Sequence, residues 1–287
     1  MIRIATRASA LARWQAERVA TLLGDDAELV LVTTSGDRDQ TSDVHAIGGR
    51  GVFTKEVQHA VLDGRADVAV HSAKDLESTT PPGLVIAAVP ERADPRDALV
   101  GSTLDALPPG ALVGTGSVRR RAQLAAARPD LLFGPLRGNI ETRLAKRADL
   151  GYDAVVVAYA ALARLGLADR ASDVLDPTVL LPQVAQGALA AECRAEDEST
   201  LARLRAIDDA EAHRAVDAER AFLAELGGGC NLPCGALASV DGSRVALDAM
   251  LGSLDGHVIL RTHTDGEEPV AVGVAAAAEL MRTDVFS

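Results

Sequence analysis

Four short stretches of this 287-residue chain hold side chains with the means to do chemistry. The first is Gly227-Gly228-Gly229-Cys230-Asn231-Leu232-Pro233-Cys234-Gly235. Three glycines free the backbone and leave the Cys230 sulfur unshielded. A reactive thiol, a flexible linker and half of a zinc site all stay open here, although no finger-like ligand spacing completes a metal set. The second is Asp67-Val68-Ala69-Val70-His71-Ser72-Ala73-Lys74-Asp75, a buried strand ending in polar groups. The carboxylate of Asp75 could stabilise a cation or move a proton. The alternatives there are a turn with a local Lys74–Asp75 charge pair and a structural His71. The third is Gly114-Thr115-Gly116-Ser117-Val118-Arg119-Arg120-Arg121, a Gly-rich turn entering a helix that Ser117 would cap. Helix N–H groups and arginine forks together make an anion site. No GK[ST] follows, so it is not a Walker loop. Arg128, Arg137-Gly138-Asn139, Arg143, Lys146 and Arg147 follow. The fourth, Thr6-Arg7-Ala8-Ser9, puts a cation and a hydroxyl after the first strand.

The elements that must position these groups alternate. Ile2–Thr6, Leu29–Thr33, Asp67–Val70, Leu84–Val89, Leu112–Gly114, Leu131–Phe133 and Ala154–Val157 read as strands. Between them Leu11–Leu23, Phe53–Leu62, Val118–Ala127, Ile140–Leu150 and Ala160–Leu165 have helical periodicity. Leu11, Trp14, Val19 and Leu22 are the residues of the first helix available for burial. This alternation predicts an α/β fold with mostly parallel or mixed sheets. Polar, Pro-containing breaks at Glu91–Asp97 and Asp173–Pro182 bound a second domain. Expected domains are 1–92 with 183–205, then 93–182, then 206–287. A chain that leaves one lobe and returns would make a hinge and a cleft. Asp209–Leu226 is a helix, and Val245–Leu251 and Val258–Arg261 flank an Asp255-Gly256 hairpin signal before an Ala-rich helix over Val270–Met281.

Composition limits the partners. The net charge is −12, which argues against nucleic acid and anionic membrane surfaces. Residues 115–147 oppose it, with eight basic and two acidic side chains, +6 locally against −18 elsewhere. Seven aromatic rings leave a mainly aliphatic core. No run reaches the roughly 20 apolar residues of a membrane span. The first residues lack a signal-peptide core, and three cysteines are an odd number, so a reduced cytoplasmic setting is expected. Two hypotheses fit: an enzyme using Cys230 covalently, or a two-lobed cytosolic anion-binding or sensor protein without catalysis.

The ordered residues favour the enzyme. Ala5-Thr6-Arg7-x-Ser9-x-Leu11-Ala12, Gly48-Gly49-x-Gly51-x-Phe53-x-Lys55-Glu56, His71-Ser72-x-Lys74-Asp75 and Arg92-x-Asp94-Pro95-Arg96-Asp97-Ala98 come in sequence. Then come Ser117-Val118-Arg119-Arg120, Leu136-Arg137-Gly138-Asn139-x-x-Thr142-Arg143-Leu144, Arg164-Leu165-Gly166, Gln186-Gly187-Ala188 and Gly228-Gly229-Cys230-x-x-Pro233. This set resembles the hydroxymethylbilane synthase, or porphobilinogen deaminase, family from residue 2 to about 235. The resemblance implies two lobes like those of periplasmic binding proteins, with a cleft, plus a small α+β C-terminal domain. It implies a dipyrromethane cofactor on Cys230 through a thioether, and porphobilinogen as the small-molecule substrate. Four units would be deaminated and coupled head to tail, and water would release the linear tetrapyrrole. Asp75 matches the family's essential carboxylate. Lys74, Asp75, Ser117, Arg119, Arg120 and Arg143 match cofactor contacts. Arg7, Ser9, Phe53, Arg137, Arg143 and Arg164 match substrate contacts. No metal, nucleic acid or membrane is implied, and a monomer is expected. Gly116 stands where the family commonly has Ser, and Cys234 where an aliphatic residue is usual.

Overall fold

A computed structural model describes residues 1–24, 27–34, 51, 53–227 and 232–282. The chain divides into two compact units: Met1–Ala93 with Ala188–Val216, and Asp94–Gly187 with Asp217–Ser287.

The first unit is built on a five-stranded sheet in the order β2-β1-β3-β10-β4. These strands are β1 (Ile2–Arg7), β2 (Ala27–Val32), β3 (Val68–Ser72), β4 (Leu84–Ala88) and β10 (Leu189–Arg194). β1 runs parallel to β2 and β3, and β10 runs antiparallel to β3 and β4. Alternation along β1 sends Ile2 and Ile4 to one face and Ala5 to the other. Helix α1 (Ala10–Leu22) covers the first face, where Ala16 and Val19 meet Ile2, Ile4, Val68 and Val70. Helix α2 (Lys55–Leu62) covers the other, where Val57, Ala60 and Val61 meet Ala5 and Ala69. A sheet covered on both faces accounts for the near-continuous apolar runs in its strands.

The expectation for α1 needs one correction. Its buried residues are Gln15, Ala16 and Val19, while Trp14 is exposed. The helix is turned so that Gln15 faces inward, where its Nε2 donates to Ser72 Oγ at 2.7 Å. A buried amide with a partner is acceptable, and the hydrogen bond fixes the rotation. Likewise α2 starts at Lys55, so Phe53 lies before the helix.

The second unit repeats the arrangement in the order β7-β6-β8-β5-β9. Its strands are β5 (Asp97–Val100), β6 (Leu112–Gly114), β7 (Leu132–Gly134), β8 (Ala154–Ala158) and β9 (Asp173–Val174). β6 is parallel to β7 and β8, and β5 is antiparallel to β8 and β9. In each sheet the antiparallel fourth strand is the first strand after the chain enters the unit from the other one. Helices α3 (Val118–Ala127), α4 (Ile140–Asp149) and α5 (Tyr159–Arg164) follow β6, β7 and β8. Leu124 of α3 packs with Leu99, Val113, Ala154 and Val156. Gly114 and Gly134 are paired across β6 and β7 and lie under the Tyr152 ring, leaving no room there for a Cβ.

Helix α6 (Glu198–Arg205) returns along the first sheet, and α7 (Ala210–Glu225) leads to the C-terminal region. There β11 (Cys234–Asp241), β12 (Arg244–Gly252) and β13 (Ile259–Gly266) form an antiparallel meander, backed by α8 (Pro269–Met281). The fold is α/β with a small three-stranded C-terminal sheet, as the sequence pattern indicates. Among the described residues no helix is long and apolar enough to cross a membrane.

Candidate active site

In the first unit the site grows from the C-terminal ends of two adjacent parallel strands, where ligands of open α/β sheets gather. Arg7 ends β1 and Ser72 ends β3. A single 3-10 turn, Ala73–Asp75, then presents Lys74 and Asp75. The Ala73 N–H donates to Ala188 O at 3.1 Å and ties that turn to the run entering β10. Arg7, Ser9, Gln15, Phe53, Thr54, His71, Ser72 and Asp75 line one open pocket. The Arg7 guanidinium lies over the Phe53 ring, 4.4 Å from its centroid, a cation–π contact. Asp75 is exposed at this pocket. The pocket therefore offers a fixed cation, an aromatic face and a carboxylate together. Ser9 also caps α1 by accepting from the Ala12 N–H at 3.3 Å. Lys74 is half-buried beside Asp75 and is not among the pocket-lining residues.

In the second unit the arginines separate into two groups. Arg119 and Arg120 are buried on Asp97, which is wholly inaccessible. Arg119 Nη2 donates to Asp97 Oδ2 at 2.6 Å, and Arg120 Nη2 and Nε donate to Oδ1 at 2.6 and 3.0 Å. Gln186 Nε2 donates to the same Oδ1 at 2.9 Å. The two Nη1 donors reach backbone: Arg119 Nη1 to Leu181 O at 2.6 Å and Arg120 Nη1 to Val156 O at 3.0 Å. Burial alone would raise the Asp97 carboxyl, but the two guanidiniums and Gln186 outweigh it and hold it well below the usual range. Two cations on one anion leave a net positive charge. Arg119 Nε remains a buried donor with no acceptor among the described residues.

The other group is held by loops. A Cβ on Gly116 would come 2.6 Å from Leu136 O, so only glycine lets the turn before α3 meet the loop carrying Arg137. Ser117 caps α3 by accepting from the Arg120 N–H, at a long 3.4 Å. Asn139 caps α4 by accepting from the Thr142 N–H at 2.8 Å. That cap starts a helix whose first turns carry Arg143, its Nε donating to Gly138 O at 2.8 Å, and Lys146, its Nζ donating to Arg137 O at 3.1 Å. Arg137 Nη1 is a buried donor without an acceptor among the described residues. Arg164 Nη2 donates to Gly187 O at 2.6 Å, and burial pulls its guanidinium down to about 10, still charged at neutral pH.

Of the sequence-derived site residues, Arg7, Ser9, Phe53 and Asp75 share the pocket of the first unit. Ser117, Arg119, Arg120, Arg137, Arg143 and Arg164 belong to the second unit. Cys230 lies outside the described residues, as does most of the glycine-rich Gly48–Gly51 motif. Of the remaining thiols, Cys193 is buried in the first core, and burial pushes it up to about 11, an unreactive state. Cys234 is buried as a free thiol in β11. Sequence reasoning assigned no role to Asp97, Gln186 or Gln15. Asp97 sits in a charged run that looked like a boundary, and only the pairing of β5 with β8 brings it to the arginines. Among the described residues no cluster of His, Cys, Asp or Glu could hold a metal ion.

Residues 2–202 match the family model described as "Porphobilinogen deaminase, dipyromethane cofactor binding domain". Residues 213–282 match "Porphobilinogen deaminase, C-terminal domain". The porphobilinogen deaminase of Roseiflexus sp. (strain RS-1) is 47% identical, with 97% of this chain and 95% of that protein covered. That of Brevibacillus brevis is 44% identical, covering 97% and 93%. A solved structure of the Bordetella pertussis BvgS VFT2 domain aligns over 72% of this chain and 85% of its own, at 16% identity and a TM-score of 0.43, too loose to argue from. Two family models and close relatives of nearly equal length, matched end to end, lead to one conclusion: the chain belongs to the porphobilinogen deaminase family.

Proposed function

We propose that the chain acts on porphobilinogen, removing ammonia from four molecules, joining them head to tail and releasing hydroxymethylbilane with water. The observation that carries this reading is the convergence of Arg7, Phe53 and Asp75 in one pocket at the ends of β1 and β3. Porphobilinogen carries an acetate and a propionate, and its deamination leaves a cationic methylene-pyrrole. An arginine can hold a carboxylate bidentately. A carboxylate placed where positive charge develops stabilises it, and it can also accept the proton lost as the pyrrole regains aromaticity. Asp75 is assigned both tasks, with Phe53 packing the ring.

The family carries a dipyrromethane cofactor, and the residues present suit a carboxylate-rich group of that kind. Arg119 Nε and Arg137 Nη1 are buried donors without acceptors among the described residues, and two arginines share one aspartate. When bound, the cofactor supplies the pyrrole carbon onto which the first substrate unit is joined. Cys230 is proposed to hold it by a thioether, with Lys74, Asp75, Ser117, Arg119, Arg120 and Arg143 as its further contacts. Arg7, Ser9, Phe53, Arg137, Arg143 and Arg164 are proposed to hold substrate. Residues 206–287 are proposed as a third domain carrying Cys230. We also propose a cytoplasmic monomer with no nucleic-acid or membrane partner, in keeping with a net charge of −12 and two buried free thiols. The test is to incubate purified protein with porphobilinogen and follow substrate loss and tetrapyrrole formation. Both are expected to proceed together; anion binding with no deamination would refute the reading.

A further inference from the structure

Behind the pocket of the first unit lies a buried carboxylate to which neither the family's motifs nor the proposed reaction gives a role. Glu192 is on β10 and has no accessible surface. Register places Ala190 opposite His71 and Glu192 opposite Ala69, so His71 and Glu192 are diagonal neighbours on one face of the sheet. That face is the one α2 covers, and it is otherwise lined with Ala5, Ala69, Val57 and Val61. Taking a carboxylate out of water into such a layer is unfavourable, and an apolar side chain of similar size would pack there at least as well. A buried polar group in this setting needs a reason beyond packing.

Its contacts supply one. Glu192 Oε2 accepts a hydrogen bond of 2.9 Å from Gln58 Nε2 and lies 3.2 Å from His71 Nε2, a close N···O approach not aligned as a hydrogen bond among the described residues. His71 and Gln58 are themselves buried. His71 lines the pocket and lies four residues before Asp75 on the same strand end. Gln58 lies in α2, the helix that begins just after Phe53 and Thr54, two more residues of the pocket. One oxygen thus touches both segments that carry the pocket's carboxylate and aromatic ring, by a hydrogen bond to one and a close polar approach to the other. Ala188, two residues before this acid's own strand-mate Ala190, also receives the N–H of the turn that presents Asp75.

We propose that Glu192 is a positioning residue for the reaction, orienting the end of β3 that carries Asp75 through His71 and the helix behind Phe53 through Gln58. This rests on the proposed function of the same pocket. Two variants of the cofactor-loaded protein separate positioning from packing. Glu192→Gln keeps the volume and the polar contacts to Gln58 and His71; Glu192→Met keeps the volume alone. Misplacement of reacting groups lowers turnover by about 10-fold to 100-fold. Glu192→Met is expected to show that loss in kcat with KM little changed and a thermal midpoint no lower than wild type. Glu192→Gln is expected to rescue most of the turnover. Amide hydrogen exchange over residues 71–76 and 54–59 is expected to quicken in Glu192→Met and stay near wild type in Glu192→Gln. Wild-type turnover in Glu192→Met, or losses that merely follow stability in both variants, would overturn the proposal. So would unchanged exchange in the two segments, a readout that decides the matter even if wild type does not consume porphobilinogen, in which case the reading of function fails separately.

Discussion

Asp75 is exposed at a pocket, whereas Asp97 is sealed between two guanidiniums, and that difference in surroundings separates what each can do. An exposed carboxylate has few contacts that matter to folding, so Asp75→Asn is expected to leave the thermal midpoint nearly unchanged. Its loss of turnover should be about 100-fold to 1,000-fold, the effect of removing one preorganised electrostatic group. A tetrapyrrole-formation assay reads this directly, and near-normal turnover would remove Asp75 from the mechanism. For Asp97 the expectation reverses. Asp97→Asn leaves Arg119 and Arg120 as uncompensated buried charges, at about 3–5 kcal/mol of stability in urea denaturation. Folding also holds the Asp97 carboxyl below its ordinary value through the two arginines, against the opposing pull of burial. Its contribution is therefore complete above the unfolded value of about 3.9 and is lost as pH falls towards the folded one. Wild type is expected to lose more stability than Asp97→Asn as pH falls below about 3.9. Equal acid sensitivity of the two proteins would contradict the pairing. The sequence made the arginines visible but not this partner, because Asp97 is 22 and 23 residues away and arrives on another strand.

Element by element, the pattern of the chain was readable where local signals agree with packing. Leu112–Gly114 and Val118–Ala127 form the strand and the helix expected, and Ser117 caps the latter. Elements that the local pattern left unread, and the one residue it misplaced, have physical causes. The run Leu189–Arg194, Leu-Ala-Ala-Glu-Cys-Arg, is made mostly of good helix formers, yet it is a strand because β3 and β4 pair with it on both sides. β11 begins inside the cysteine loop with small residues that carry little strand signal. Trp14 lies on the outer side of α1 because Gln15 takes the inward place by bonding to Ser72. Glycine at 273 is another feature that sequence alone could not interpret. It lies in the middle of α8, where a Cβ would collide with Ala218 O of α7. Gly273→Ala should gain about 1 kcal/mol in helix propensity. Overpacking against backbone atoms, at about 3 kcal/mol, the upper end of its usual cost, should outweigh it and give a net fall in thermal midpoint. A rise in the midpoint would show that the two helices are not held at this distance.

For the whole molecule, the charge arithmetic is refined by the structure. The local excess over residues 115–147 is not simply an arginine-decorated surface. Arg128 pairs with Asp130 at 2.6 Å, and Arg119 and Arg120 pair with Asp97 from outside that stretch. Arg121, Arg137, Arg143, Lys146 and Arg147 remain, with Arg137 on the loop that Gly116 closely approaches and Arg143 and Lys146 on α4, bonded back to Gly138 O and Arg137 O. Two sheets of matching strand order each present candidate site residues at the C-terminal ends of parallel strands: Arg7 and Asp75 in one, and Ser117 and the Arg137 loop in the other. The order was foreshadowed by the alternation of strands and helices; the antiparallel strand at each entry was not, since it depends on where the chain returns. The central claim is that this scaffold serves a primer fixed covalently to Cys230, and intact-mass spectrometry of freshly purified protein tests it most directly. The account predicts a mass above that of the chain by one dipyrromethane, returning to the chain's own mass in Cys230→Ser; an unmodified mass in an active wild-type preparation would contradict it.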